Sequence, residues 1–136
     1  MNAKIFSLIM EMSDATKQEN QAIGHLSQVM NHLIKIKYAE SNQYVSDWIK
    51  DINRNLIQAK HDCSRKNSVL SKLHKSETMQ KVYRKAMTAY QKDYRTDKYM
   101  ANPSKIPIPQ NCPWAVDELF NDSIEKLLLK LPESKY

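Results

Sequence analysis

The sequence predicts an all-α fold: a helical bundle of three longer helices, closed by a Pro-rich extended segment and one or two short C-terminal helices. Three observations predict it. The single Gly and the position of all five Pro, from Pro103 onward, leave the first hundred residues almost without turn signals, which favours long helices over many short strands. The stretch Leu26–Leu56 holds two amphipathic helical patterns with a short polar break between them. Helices joined by so short a link pack side by side and antiparallel. Finally, 136 residues suit one domain able to bury a core without metal or disulfide support.

In the first helix, apolar residues recur at Ile5, Leu8/Ile9, Met12, Ala15, Ala22, Leu26, Val29/Met30, Leu33 and Ile36. The spacing is near 3.5, a helix seam. Unbroken from Asn2 to Tyr38, this helix would run about 55 Å, against a radius of gyration of roughly 14 Å for a domain this size. The expectation is a break or kink near Ser13–Thr16, where Thr16 and Glu19 have capping-box spacing. The alternative is an overhang packed against a second copy. Gly24 costs roughly 1 kcal/mol relative to Ala inside a helix, and a close helix crossing there would offset it.

The second helix is expected to start at Tyr44–Ser46, capped by Ser46 or Asn42. Its apolar face is Val45, Trp48/Ile49, Ile52, Leu56, Ala59 and Cys63, with Trp48 as the large core anchor. A third helix is predicted from a cap at Asn67 or Ser68 to about Lys98. Its face is Val69/Leu70, Leu73, Met79, Val82/Tyr83, Ala86/Met87, Tyr90 and Tyr94. The tyrosines at 83, 90 and 94 read as core with hydroxyls at the rim. From Tyr99 to Cys112, prolines oppose helix, and Ile106 and Ile108 bring the extended chain onto the body. Pro113 suits the first position of a short helix capped from Asn111 or Cys112. A last helix, Ser123–Leu131, is expected to use Asp122 and Glu125 as a loose capping box, with Pro132 ending it.

The net charge of +6 is unevenly placed. Residues 1–49 carry −1, residues 50–100 carry +8 and residues 101–136 carry −1. Lys81, Arg84, Lys85, Lys92 and Arg95 fall within about 100° of one another on a helical wheel, a basic face that could track phosphates. A solvated face in a Lys-rich chain is the simpler account, no DNA-reading motif accompanies it, and Asp93 and Asp97 weaken it.

Chemistry is hard to find. His25 and His32 stand about 10 Å apart along a helix, too far to share a metal unaided. His32 reads as a structural histidine oriented by a carboxylate. Consecutive helical residues diverge by about 100°, so His61-Asp62-Cys63 is a poor metal site. Cys112 beside a helix start could be a nucleophile, but no partner histidine can be named. Gly-rich phosphate loops, nucleophile elbows and zinc-binding His-Glu-x-x-His motifs are absent. The sequence implies no cofactor. The two cysteines read as reduced thiols of a cytoplasmic protein, with no signal peptide and no apolar run approaching about 20 residues.

Five motifs in order resemble the bacterial family named domain of unknown function 29. His32–Tyr38, HLIKIKY, resembles its His-Leu-Leu-Lys-aromatic signature. Ser46-Asp47-Trp48 resembles its Ser-x-Trp helix start. Asn67-Ser68-Val69-Leu70 resembles a Pro-Ser-Leu start with Asn for Pro. Tyr83 and Ala86 resemble its Tyr–Ala helix. The run from Ile108 to Trp114 resembles its Pro-x-x-Cys-Pro-aromatic closing motif, giving Cys112, Pro113 and Trp114. The resemblance covers roughly residues 10–121 and implies an all-helical fold, a bacterial origin and no catalytic residues. The family's acidic pair on the first helix survives only as Glu11. The expected function is a non-enzymatic protein-interaction module, a regulator or inhibitor of another macromolecule, with a protein partner or a second copy. The alternative is nucleic-acid binding by the basic face.

Overall fold

A computed structural model describes residues 3–96 and 100–133, with side chains from residue 16 onward. The helices are α1 (Ala3–Tyr38), α2 (Val45–Arg65), α3 (Asn67–Leu73), α4 (Ser76–Tyr94), α5 (Val116–Asn121) and α6 (Ile124–Leu128), with one 3-10 turn at Pro103–Lys105. There is no strand among the described residues.

The expected break in the first helix does not occur. α1 runs unbroken for 36 residues, about 54 Å. Glu19 does not serve a capping box at Thr16; its carboxylate meets Lys72 of α3 at 3.0 Å. From Ala22 the apolar stripe is fully used: Ala22, Ile23, Leu26, Val29, Met30, Leu33 and Ile34 are buried. Each large aliphatic side chain so buried stabilises the fold by about 1.5–3 kcal/mol. α1 packs chiefly on α2, then on α4. Gly24 marks no close crossing, since a Cβ there would meet nothing within 4 Å.

α2 returns antiparallel, so that His32 faces Asp51 and His25 faces Asn55 and Asp62. Ile52, Ala59 and Cys63 enter the central cluster. Neither Ser46 nor Asn42 caps α2 through its side chain; Tyr44 is the N-cap, and Asn42 contributes only its carbonyl, which accepts from Val45 N–H at 3.3 Å. Trp48 is buried but stands outside the central cluster, with the Tyr44 ring 6.2 Å away. The tryptophan of the core is Trp114.

The predicted third helix is two. Lys75, extended at φ −78°, ψ 131°, separates α3 from α4. At 100° per residue, the Val69–Leu73 stripe and the Met79–Tyr90 stripe would sit about 100° apart on one continuous helix. The break rotates both onto the core, where Val69, Leu73, Met79, Val82, Tyr83, Ala86 and Tyr90 are buried.

The Pro-rich segment is extended apart from the 3-10 turn, which starts with Pro103 and is capped by Asn102 accepting from Ser104 N–H at 3.0 Å. Ile106 and Ile108 pack against the core as expected. With few partners of its own, its backbone borrows side chains. Tyr83 Oη donates to the Pro109 carbonyl at 2.6 Å and Tyr90 Oη to that of Ala101 at 2.7 Å. The two hydroxyls thus anchor this segment instead of reaching the solvent rim. Gln80 clamps the same chain from both sides, donating to the Gln110 carbonyl and accepting from Cys112 N–H at 2.7 Å.

Pro113 does not start a helix. α5 begins at Val116 behind Ala115, whose N–H donates to the Glu118 carboxylate at 2.9 Å. That bond, then the Lys130 ammonium, hold the Glu118 carboxyl below the usual range. α6 is capped by Ser123 and not by Asp122: Ser123 Oγ accepts from Lys126 N–H at 3.2 Å. Leu119, Leu127 and Leu131 close the core, and Trp114 Nε1 donates to the Leu127 carbonyl at 2.9 Å.

Candidate functional site

Three places gather the residues singled out by sequence. The first is a polar layer where α1 meets α2 and α4. Gln18, His25 and His32 recur every seven residues on α1, so they share one side of the helix. His25 Nδ1 lies 3.0 Å from Asn55 Oδ1, and its Nε2 lies 3.8 Å from Asp62. His32 Nε2 lies 3.7 Å from Asp51, beyond hydrogen-bond reach, so the bond expected to orient it is not made. His32 is buried; desolvation first, and then the Lys35 charge, lower its pKa to about 4. At neutral pH it is uncharged. Burial also raises the Asp62 carboxyl, against the pull of His25.

One turn on from His32, Lys35 is buried as well. Its ammonium donates to Asp93 Oδ2 of α4 at 2.9 Å and stands 5.9 Å from the centre of the Trp48 ring. Asn31 donates to the same Asp93 oxygen at 3.1 Å. Burial would raise the Asp93 carboxyl, but these bonds outweigh it and hold it below the usual range. His32 and Trp48, two signature residues, therefore meet around Lys35.

The second place is the closing motif. Tyr83 and Trp114 meet edge to face with ring centres 6.4 Å apart. Cys112, Pro113 and Trp114 line a cleft of about 700 Å³, with Met79, Arg84 and His74 among its other walls. The cleft places Cys112 and His74 together without joining them. His74 Nε2 is 3.1 Å from Asp117, while the Cys112 thiol donates to the Trp114 carbonyl at 3.3 Å. Burial pushes the Cys112 thiol up, away from the thiolate a nucleophile needs. Cys63 is buried and likewise raised. Among the described residues no three His, Cys, Asp or Glu converge on a metal position.

The third place is the outer face of α4. Lys81, Arg84, Lys85, Lys92 and Arg95 are all exposed. Among the described residues none of the five is in an ion pair. Asp93 turns to Lys35 instead of neutralising them. Asp97 lies outside the described residues.

The sequence reading missed Asn31, Lys35 and Asp93 as a unit. Their signal was faint: Lys35 stands three residues from His32 in the signature, and Asp93 interrupts the basic run. It also missed Gln80, which carries no pattern of its own.

No helix among the described residues is long and apolar enough to cross a membrane. No curated protein and no solved structure matches the chain. A family model described as a domain of unknown function, DUF29, matches residues 3–124. With the His32–Lys35 signature packed around Asp93 and the Cys-Pro-Trp motif closing the core, the chain belongs to the domain of unknown function 29 family.

Proposed function

We propose that the chain is a non-enzymatic helical interaction module that works by contact with another protein. The length of α1 carries this reading. α2 spans 21 residues and α1 spans 36. The pairing of His25 with Asp62 sets α2's last residue, Arg65, opposite about residue 22 of α1. Residues 3–15 therefore continue as helix for about 20 Å past the end of α2.

On that arm Ile5, Leu8, Met12 and Ala15 keep the seven-residue register that Ala22, Leu26, Val29 and Leu33 use in the core. A helix seam of that register is the kind that pairs with another helix. The occupant that fits is the same arm of a second copy, since a seam of this period pairs with its like. Regulation or inhibition of another macromolecule would follow from such contacts. A cytoplasmic, bacterial setting belongs to the reading, supported by family membership and by two free cysteines.

Light scattering after gel filtration tests it. The full chain should run as a concentration-dependent dimer, and a chain starting at Thr16 should run as a monomer with its helical circular dichroism kept. A full chain that stays monomeric at its highest soluble concentration overturns self-association through the arm.

A further inference from the structure

We propose that the outer face of α4 is a rail for the phosphate backbone of a nucleic-acid duplex, engaged without regard to base sequence. It does not depend on the pairing of α1.

From Lys81 to Arg95 the rail is about 21 Å long at 1.5 Å per residue. Its opposite side is locked into the core by Val82, Tyr83, Ala86 and Tyr90. The cations are thus presented on a fixed axis. The acid within the span is removed from play: Asp93 Oδ2 accepts from Lys35 at 2.9 Å and from Asn31 at 3.1 Å. A face that the sequence shows as five cations and an acid acts as five cations. Glu77, exposed one turn before Lys81, ends the rail at its start.

The residue types select the ligand. The arc holds Lys81, Arg84, Lys85, Thr88, Lys92 and Arg95, all exposed, and no aromatic ring. Single-strand binders hold bases by stacking them on aromatic side chains, which this arc does not offer. Charge alone holds phosphates in place and reads no sequence. A duplex, with one charge per about 1.7 Å of axis, supplies enough phosphates along the rail to meet all five cations. The B-form major groove is wide enough to admit a helix, whereas the deep, narrow groove of duplex RNA is not.

Fluorescence anisotropy with a short DNA duplex, an RNA duplex of equal length and the matching single strand tests this. For five neutralised phosphates the slope of log affinity against log salt should be about −4.5 on DNA. That is a loss of about 500-fold between about 50 and about 200 mM salt. Scrambling the duplex sequence should leave affinity unchanged. The triple variant Lys81→Glu, Arg84→Glu, Lys92→Glu, exposed at every site and checked for helix content, should abolish binding. Thr88→Lys should steepen the slope by about 0.9.

Equal binding to RNA duplex would assign the rail to duplex phosphate in general and keep the proposal. No binding at about 50 mM salt, a salt-independent affinity, a folded triple variant that binds like the parent, or tighter binding to the single strand would each overturn it.

Discussion

Lys35 and Asp93 are 58 residues apart in sequence, and their charged atoms meet at 2.9 Å. The contact joins the family signature on α1 to the end of α4. Lys35 is the buried partner, with a side chain 8% exposed, while that of Asp93 is 42% exposed. Asp93→Ala should therefore destabilise the fold by about 2 kcal/mol, because it strands a buried ammonium. That is less than the 3–5 kcal/mol for a fully buried pair, since solvent already screens Asp93. Lys35→Met, which removes the buried charge at similar volume, should cost under about 1 kcal/mol. Urea unfolding of the two variants checks the asymmetry, and equal losses would refute it.

Acid should weaken the protein before ordinary carboxylates titrate. His32 has a folded pKa of about 4 against an ordinary histidine value of 6.5, so the unfolded chain binds the proton more readily. Its contribution is complete above about pH 6.5 and is lost as pH falls toward 4, by about 3 kcal/mol in total. Asp93, held low, adds a further loss at still lower pH. Asp62, held high, acts in the opposite sense and offsets part of the loss. Denaturant midpoints between pH 7.5 and pH 4.5 should fall steeply for the parent and less so for His32→Gln.

Gly24→Ala should stabilise the chain by about 0.5–1 kcal/mol. It lies within α1, a new Cβ meets nothing within 4 Å, and Ala restricts the unfolded backbone. A lowered melting temperature would mean that the site is crowded in solution.

Tyr90→Phe leaves the buried Ala101 carbonyl without the hydroxyl donor it has at 2.7 Å, at a cost of about 1–3 kcal/mol. Tyr83→Phe removes the donor to the half-buried Pro109 carbonyl, at a smaller cost. Both variants should speed proteolytic cutting within residues 100–115 while α1 and α2 stay protected. Cutting at the parental rate would show that other contacts hold the segment.

Cys112 should react with iodoacetamide more slowly than free cysteine at the same pH, and at the free rate once unfolded. Burial raises its thiol pKa, and the thiol donates to the Trp114 carbonyl. Faster labelling of the folded chain would restore Cys112 as a candidate nucleophile.

The helices were legible where periodicity alone decides. The α1 stripe from Ala22 onward, most of the α2 stripe and the exposed arc of α4 follow from spacing. The division of α3 from α4 was written only in the phase of the apolar residues, with no Gly or Pro to mark it. Pro113 misled because proline suits an extended run as well as a helix start. Asp93 looked like a flaw in a basic face because nothing local says that it turns inward. Lys35 lies on another helix, and such partners become visible only when the chain is folded.

The anchoring of the Pro-rich segment by tyrosines bears on how the protein is made. Its carbonyls are held by Tyr83 and Tyr90, and Tyr38 of α1 holds the Pro132 carbonyl. The ribosome delivers the donors first and their acceptors last. Until Trp114, Leu119 and Leu127 emerge, the part of the core they close stays open even though α1 packs on α4, and the nascent chain waits with apolar surface exposed, the state in which chaperones find their clients.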